Sequence, residues 1–168
     1  MTPVPELALV LEAFERNARV NRAVLATLEM SVLSFEDGTG GFSIGQHLAD
    51  IVSFRRSWLH TVSPEHAERL PDAIDMDAPT WLAAQSIAEL QAAFDAGDAA
   101  IRDAVLAAVA EGRRFEGAYA SHPAHMIVHC IVHDAHHRGQ IMALLRQSGR
   151  SVADRERLEE STWSIWRE

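Results

Sequence analysis

The chain contains no lysine: all fifteen of its basic residues are arginine. That excludes a Schiff-base mechanism and a Walker-type phosphate loop, both of which need a lysine amine. Cysteine is almost absent too. A single one, Cys130, excludes an internal disulfide framework and suits a reducing cytosol. Positive charge is in short supply, and the formal net charge of −9 argues against a nucleic-acid partner, since phosphate binding needs a basic face. No apolar run approaches the length that crosses a bilayer. The opening "MTPVPELALV" lacks the basic start of a signal peptide. The expectation is a cytoplasmic protein without membrane or nucleic-acid partners. Strict alternation of apolar and polar residues is rare, so strands are not expected.

What is present is helical periodicity. The 168 residues favour one domain, spanning 1–168, with a sizeable core. Four long helices are predicted. The first runs from about Pro5 to Ser31, with a seam of Leu7, Leu11, Phe14, Ala18, Asn21, Leu25 and Leu28. The second opens at Ser43, where "SIGQ" reads as a capping box, and carries Ile44, Leu48, Ile51, Arg55, Trp58 and Val62 inward. Pro64, Pro71 and Pro79 mark a long crossover from about Ser63 to Gln85. The third helix opens at a second capping box, "SIAE", with small residues in its seam. The fourth starts near Ser121, accepts Pro123 in its first turn and stops at Gly149. Its seam reads Met126, Cys130, His133, His137, Gln140 and Leu144. A short terminal helix would dock Trp163 and Trp166 on the bundle.

Three of these seams turn polar partway along: Asn21, then Arg55, then His133, His137 and Gln140. Burying such groups unpaired costs about 1–3 kcal/mol each, and more for a charge. A shared polar cavity relieves that cost. His133 and His137 are four residues apart, so they differ by about 40° in direction and ~6 Å in rise, and both imidazoles can reach one divalent ion. A third ligand is needed from a facing helix. The candidates are His47, His60, His66 and Asp50, besides residues of the fourth helix itself. His47 lies beside the second helix's seam, whereas His60 is turned about 220° away and His66 falls in the crossover. His47 is therefore the expected third ligand. If Asp50 took its place, the set would be two histidines and a carboxylate, which favours iron. His129 and His136 flank the pair as further candidates. His122 and His125 are expected near the helix start, in solvent. Cys130 is expected to be a small buried hydrophobe.

The segment "HDAHHRGQI" resembles the H-x-x-x-H-R-G-Q signature of DinB-like four-helix bundles (the DinB/YfiT group). "FERNARVN" and "SIGQHLADI" are similar to that family's first- and second-helix segments. The resemblance covers about Phe14 to Gly149, and the terminal "WSIWRE" lies outside it. It implies an all-α, up-down-down-up bundle, often a homodimer, with a divalent metal held by residues matching His47, His133 and His137. Some members transfer low-molecular-weight thiols to electrophiles or isomerise maleylpyruvate with a thiol cofactor.

The functional expectation is a metal-dependent thiol S-transferase acting on a small electrophile. Zinc is the expected metal and nickel the alternative, with Asn21, Arg55 and Gln140 as contacts for the thiol or substrate. Arg55 also admits a plainer reading as half of an internal salt bridge, and Arg138 reads as structural. Two rivals stand beside this. One is a hydrolase in which Asp134 is the base and a metal-bound water the nucleophile. The other is a non-catalytic metal-binding stress protein with a closed ligand shell.

Overall fold

A computed structural model describes residues 5–168; Met1–Val4, part of the stretch read for a signal peptide, lie outside them. Among the described residues the elements are helices: α1 (Pro5–Leu25), α2 (Ile44–Val62), α3 (Pro64–Ala67), α4 (Ile87–Ala110), α5 (Ala124–Gln147) and α6 (Val152–Arg167), with a single 3₁₀ turn at Met30–Val32. No helix among them is long and apolar enough to cross a membrane.

Side-chain pairs fix the direction of each helix in the bundle. Asn17 and Asn21 of α1 reach Asp134 of α5, and Leu25 and Ile141 belong to one core cluster while Phe14 and Cys130 belong to the other, so α1 and α5 run parallel. His47 meets His137 while Phe54 meets His129, so α2 runs against α5. Arg55 meets Asp98 of α4, and Arg22 of α1 meets Asp95. The result is an up-down-down-up bundle, with the long crossover, including α3, leading from α2 to α4.

Local chemistry sets most helix ends as expected. Ser43 caps α2 in a full capping box, its hydroxyl accepting from the Gln46 N–H while the Gln46 side chain accepts from the Ser43 N–H. At α4 the box is half-formed: Ser86 accepts from the Glu89 N–H, but Glu89 reaches one residue further back, to the N–H of Gln85. Gly149, at φ +87°, ends α5 in the left-handed conformation that glycine adopts without strain.

Two expectations fail. The first helix ends at Leu25, short of Ser31, because the Val24 carbonyl is taken by the N–H and hydroxyl of Thr27 in a tight turn. Leu28 and Leu33 still reach the core from the irregular segment that follows. The terminal helix is long, 16 residues, and Trp163 does not dock as expected, although Trp166 is half-buried. Leu158 and Ile165 are its buried residues, while Trp163 is 62% exposed. Arg16 holds the helix by donating to the Ile165 carbonyl.

Candidate metal centre

The polar layer is real and has two parts. The first is a charged network at mid-height, to which all four long helices contribute. Arg55 is completely buried and grips Asp134 with two parallel hydrogen bonds, Nη1 to Oδ1 at 2.9 Å and Nη2 to Oδ2 at 2.7 Å. Its Nε donates to Asp98 at 2.7 Å, and Nη1 also donates to the Ile51 carbonyl. Asn17 and Asn21 donate to the same Asp134 carboxylate at 2.7 and 2.8 Å. Their amide oxygens in turn accept from Arg138 Nη1. Gly97 makes room for this crossing: a Cβ there would lie 2.7 Å from Arg55 Cδ.

Burial works against the ionised carboxyl of Asp134, but the charge and hydrogen bonds of Arg55, with those of the two asparagines, outweigh it and hold the pKa below the ordinary value. Arg55 likewise stays protonated despite burial, through Asp134 and Asp98.

The second part lies one turn away, where α2 and α5 face each other. His137 Nε2 is 3.1 Å from Asp50 Oδ2, and its Nδ1 shares a 3.0 Å hydrogen bond with His47 Nδ1. One ligand atom each from Asp50, His133 and His137 lies within 4.8 Å of the other two. Atoms bound to one zinc-like ion stand about 3–3.5 Å apart, so small rotations bring this set onto a shared cation.

The electrostatics suit a ligand set. Burial lowers the pKa of His133 to about 4, helped by the charge of His137. Burial also lowers His137 and His47. All three rings are therefore neutral at neutral pH, the form that binds metal. The His133 ring stacks on Phe54 at 3.9 Å between centroids, and its buried Nδ1 has no hydrogen-bond partner among the described residues. An orphaned imidazole nitrogen inside a carboxylate–histidine cluster is what a divalent cation site presents when built from protein atoms alone, so the residues fit such an ion.

The family model of the DinB family matches residues 4–168. The chain belongs to the DinB family. The match extends past Gly149 through the tail, further than the sequence motifs reached. No curated protein and no solved structure is similar enough to this DinB chain to match it.

The sequence-based site residues divide within the DinB bundle. His133 and His137 come together with Asp50, whereas His47, expected as the third ligand, meets His137 alone and lies outside that converging group. Asn21 and Arg55 belong to the buried network, where four hydrogen bonds occupy the Arg55 guanidinium and leave it no contact with solvent. Gln140 is exposed, a correction to its inward placement. The buried face of α5 runs Met126, Cys130, Asp134, His137, Ile141, Leu144, which leaves position 140 outside. His129 is engaged by the Tyr119 hydroxyl at 2.8 Å, and His136 is exposed with its ring edge-on to His137. His122 and His125 are exposed at the start of α5. Cys130 is fully buried and its thiol is pushed up to about 12 by burial, so it is no nucleophile.

Sequence reasoning missed Asn17, Asp98 and the structural role of Asp134. Asn17 and Asn21 share a helix face at a spacing of four, and Asp134 sits four residues past Cys130 on an otherwise apolar stripe. His47 and Asp50, three residues apart on α2, gave a comparable signal for the centre.

Proposed function

We propose that this DinB protein binds a divalent metal between α2 and α5 and uses it to transfer a low-molecular-weight thiol to a small electrophile. The convergence of Asp50, His133 and His137 supports the metal centre more than any other observation. In this reading those three are ligands. His47, the histidine expected to ligate, bonds to the far nitrogen of His137 and sets that ring's orientation. Two imidazoles and a carboxylate suit zinc, as do the three imidazoles expected first. We take zinc as the metal, with nickel second; the Asp50 carboxylate adds iron as a third candidate. A bound divalent cation would supply stabilisation of a thiolate at neutral pH.

The protein's own groups do the rest. The two neutral imidazoles and the single Asp50 carboxylate would leave a divalent cation with one net positive charge, and Asp50, with 40% of its side chain exposed, lies where a small substrate can arrive. Phe54 backs the His133 ring and keeps water off that side. Asp134 is unsuited to the hydrolytic base, since its oxygens are committed to Arg55, Asn17 and Asn21. The homodimer and the cytoplasmic setting belong to the same proposal.

The test is metal analysis of the native protein, followed by turnover with common thiols and a model electrophile. A bound ion and thiol-dependent product formation are expected. A loaded protein that turns over no thiol–electrophile pair points instead to the non-catalytic reading. The contact of His47 with His137, which leaves a third imidazole near the centre, favours that reading, and it predicts no exchangeable water at the metal.

A further inference from the structure

On the opposite side of α5, helix α6 leans across α1 and leaves a cleft lined by Val20, Ala135, Arg138, Thr162, Trp163 and Trp166. Arg138 is the only charged group in that lining. Its Nη1 is spent on the amide oxygens of Asn17 and Asn21, at 2.7 and 2.6 Å. Its Nε and Nη2 make no hydrogen bond among the described residues. They are not sealed in, because His133 Nδ1 alone is both buried and unpartnered there. The free edge of the guanidinium therefore opens to the cleft. Arg55 touches two carboxylates, whereas Arg138 touches only neutral amides, and burial lowers its pKa. The Thr162 hydroxyl donates to the Glu159 carbonyl and offers an incoming anion no proton. Glu159, in the adjoining wider cleft, is turned to Arg146 at 3.4 Å.

We infer that this cleft binds a small organic carboxylate with a flat apolar body. The Nε and Nη2 edge of a guanidinium is a fork that grips a carboxylate with two parallel hydrogen bonds. Trp163 and Trp166 supply aromatic faces to cover the remainder of the molecule, and a concave apolar lining with one convergent polar group is the usual form of a small-ligand site. Binding needs no rearrangement of the core, since the Nη1 bonds to the asparagines stay in place.

Calorimetric titration of the full chain with benzoate, and with benzamide as the uncharged match, tests this. Benzoate should bind, and benzamide at least about tenfold more weakly, the equivalent of ~1.4 kcal/mol for the lost charge. Arg138→Lys keeps the charge but loses the fork and should shrink the difference without abolishing it. Because Arg138 also holds Asn17 and Asn21, Trp163→Ala provides a second arm: the residue is largely exposed, so the fold should survive while benzoate weakens about fivefold. Equal affinity for the two probes, no benzoate heat, or affinity untouched by Trp163→Ala would each overturn the inference. So would a dimer that Trp163→Ala dissociates with no benzoate heat, which would make this face a contact between two copies.

Discussion

The network around Arg55 and the cluster around His137 lie about one helical turn apart along α2 and α5, the network also drawing on α1 and α4. Their hydrogen bonding separates them. In the network, Arg55 and Asp134 meet as a fork and a carboxylate, and the asparagines close the remaining positions. In the cluster, three imidazoles with lowered pKa face one carboxylate, and a buried nitrogen of His133 has no partner. A saturated polar layer holds four helices in register. An unsaturated one leaves positions that something outside the chain can complete. The comparison assigns structure to the first and binding to the second, and each half can be attacked separately.

The largest effect should come from breaking the saturated half. Asp134→Ala leaves the Arg55 charge buried without its main partner, which costs about 3–5 kcal/mol when a buried pair loses one member. Urea denaturation should show most of the stability gone, and Asp134→Asn should recover part of it, since the amide oxygen can still accept. An Asp134→Ala protein as stable as the parent would remove the network's structural role.

In the unsaturated half the effect should fall on metal affinity. His137→Ala should lose metal beyond the 10–100-fold typical of groups that only orient a ligand, with a comparatively small change in urea midpoint. Asp50→Ala should follow it, and His47→Ala should stay within about 10–100-fold. Competition with a chromophoric chelator reads all three. If His47→Ala abolished binding while Asp50→Ala did not, the third ligand would be the histidine that the motif suggested.

Acid should distinguish the two halves by sign and by window. Burial lowers the pKa of His133 to about 4, so the folded metal-free protein resists protonation that the unfolded chain accepts near 6.5. That contribution is complete above about 6.5 and is lost as the pH falls towards ~4. Asp134, held below its usual value, contributes above about 3.9 and is lost only at lower pH. The stability of the metal-free protein should therefore begin to fall below about pH 6.5, and His133→Ala should reduce that first decline, to which His137 and His47 also contribute, while leaving the second.

Much of this was legible because helix periodicity and capping are local. Ser43, Ser86, Pro123 and Gly149 marked ends through chemistry contained in a few residues. The i, i+4 spacing of His133 and His137 brought two rings together whatever the rest of the fold did. What was not legible depended on partners distant in sequence. Asp134 reads as a candidate hydrolytic base in isolation, and only the arrival of Arg55, 79 positions away, makes it an anchor. Whether Asp50 or His47 faces His133 depends on the rotation of α2, which a period of 3.6 residues leaves open over three positions.

The rotation of α5 raises the same question, and Gln140 is the residue on which it can be checked most cheaply. The motif grouped it with the histidines, but on α5 it is exposed, and Ile141 takes the inward position beside it. Gln140→Ala should change stability by no more than about 0.5 kcal/mol, as for other surface positions, and leave the chelator titration unaltered. A marked loss of metal would mean that α5 is turned towards its neighbours by roughly a third of a turn relative to the arrangement described. Asp134 would then leave the network, and the division between a saturated and an unsaturated layer would fail with it.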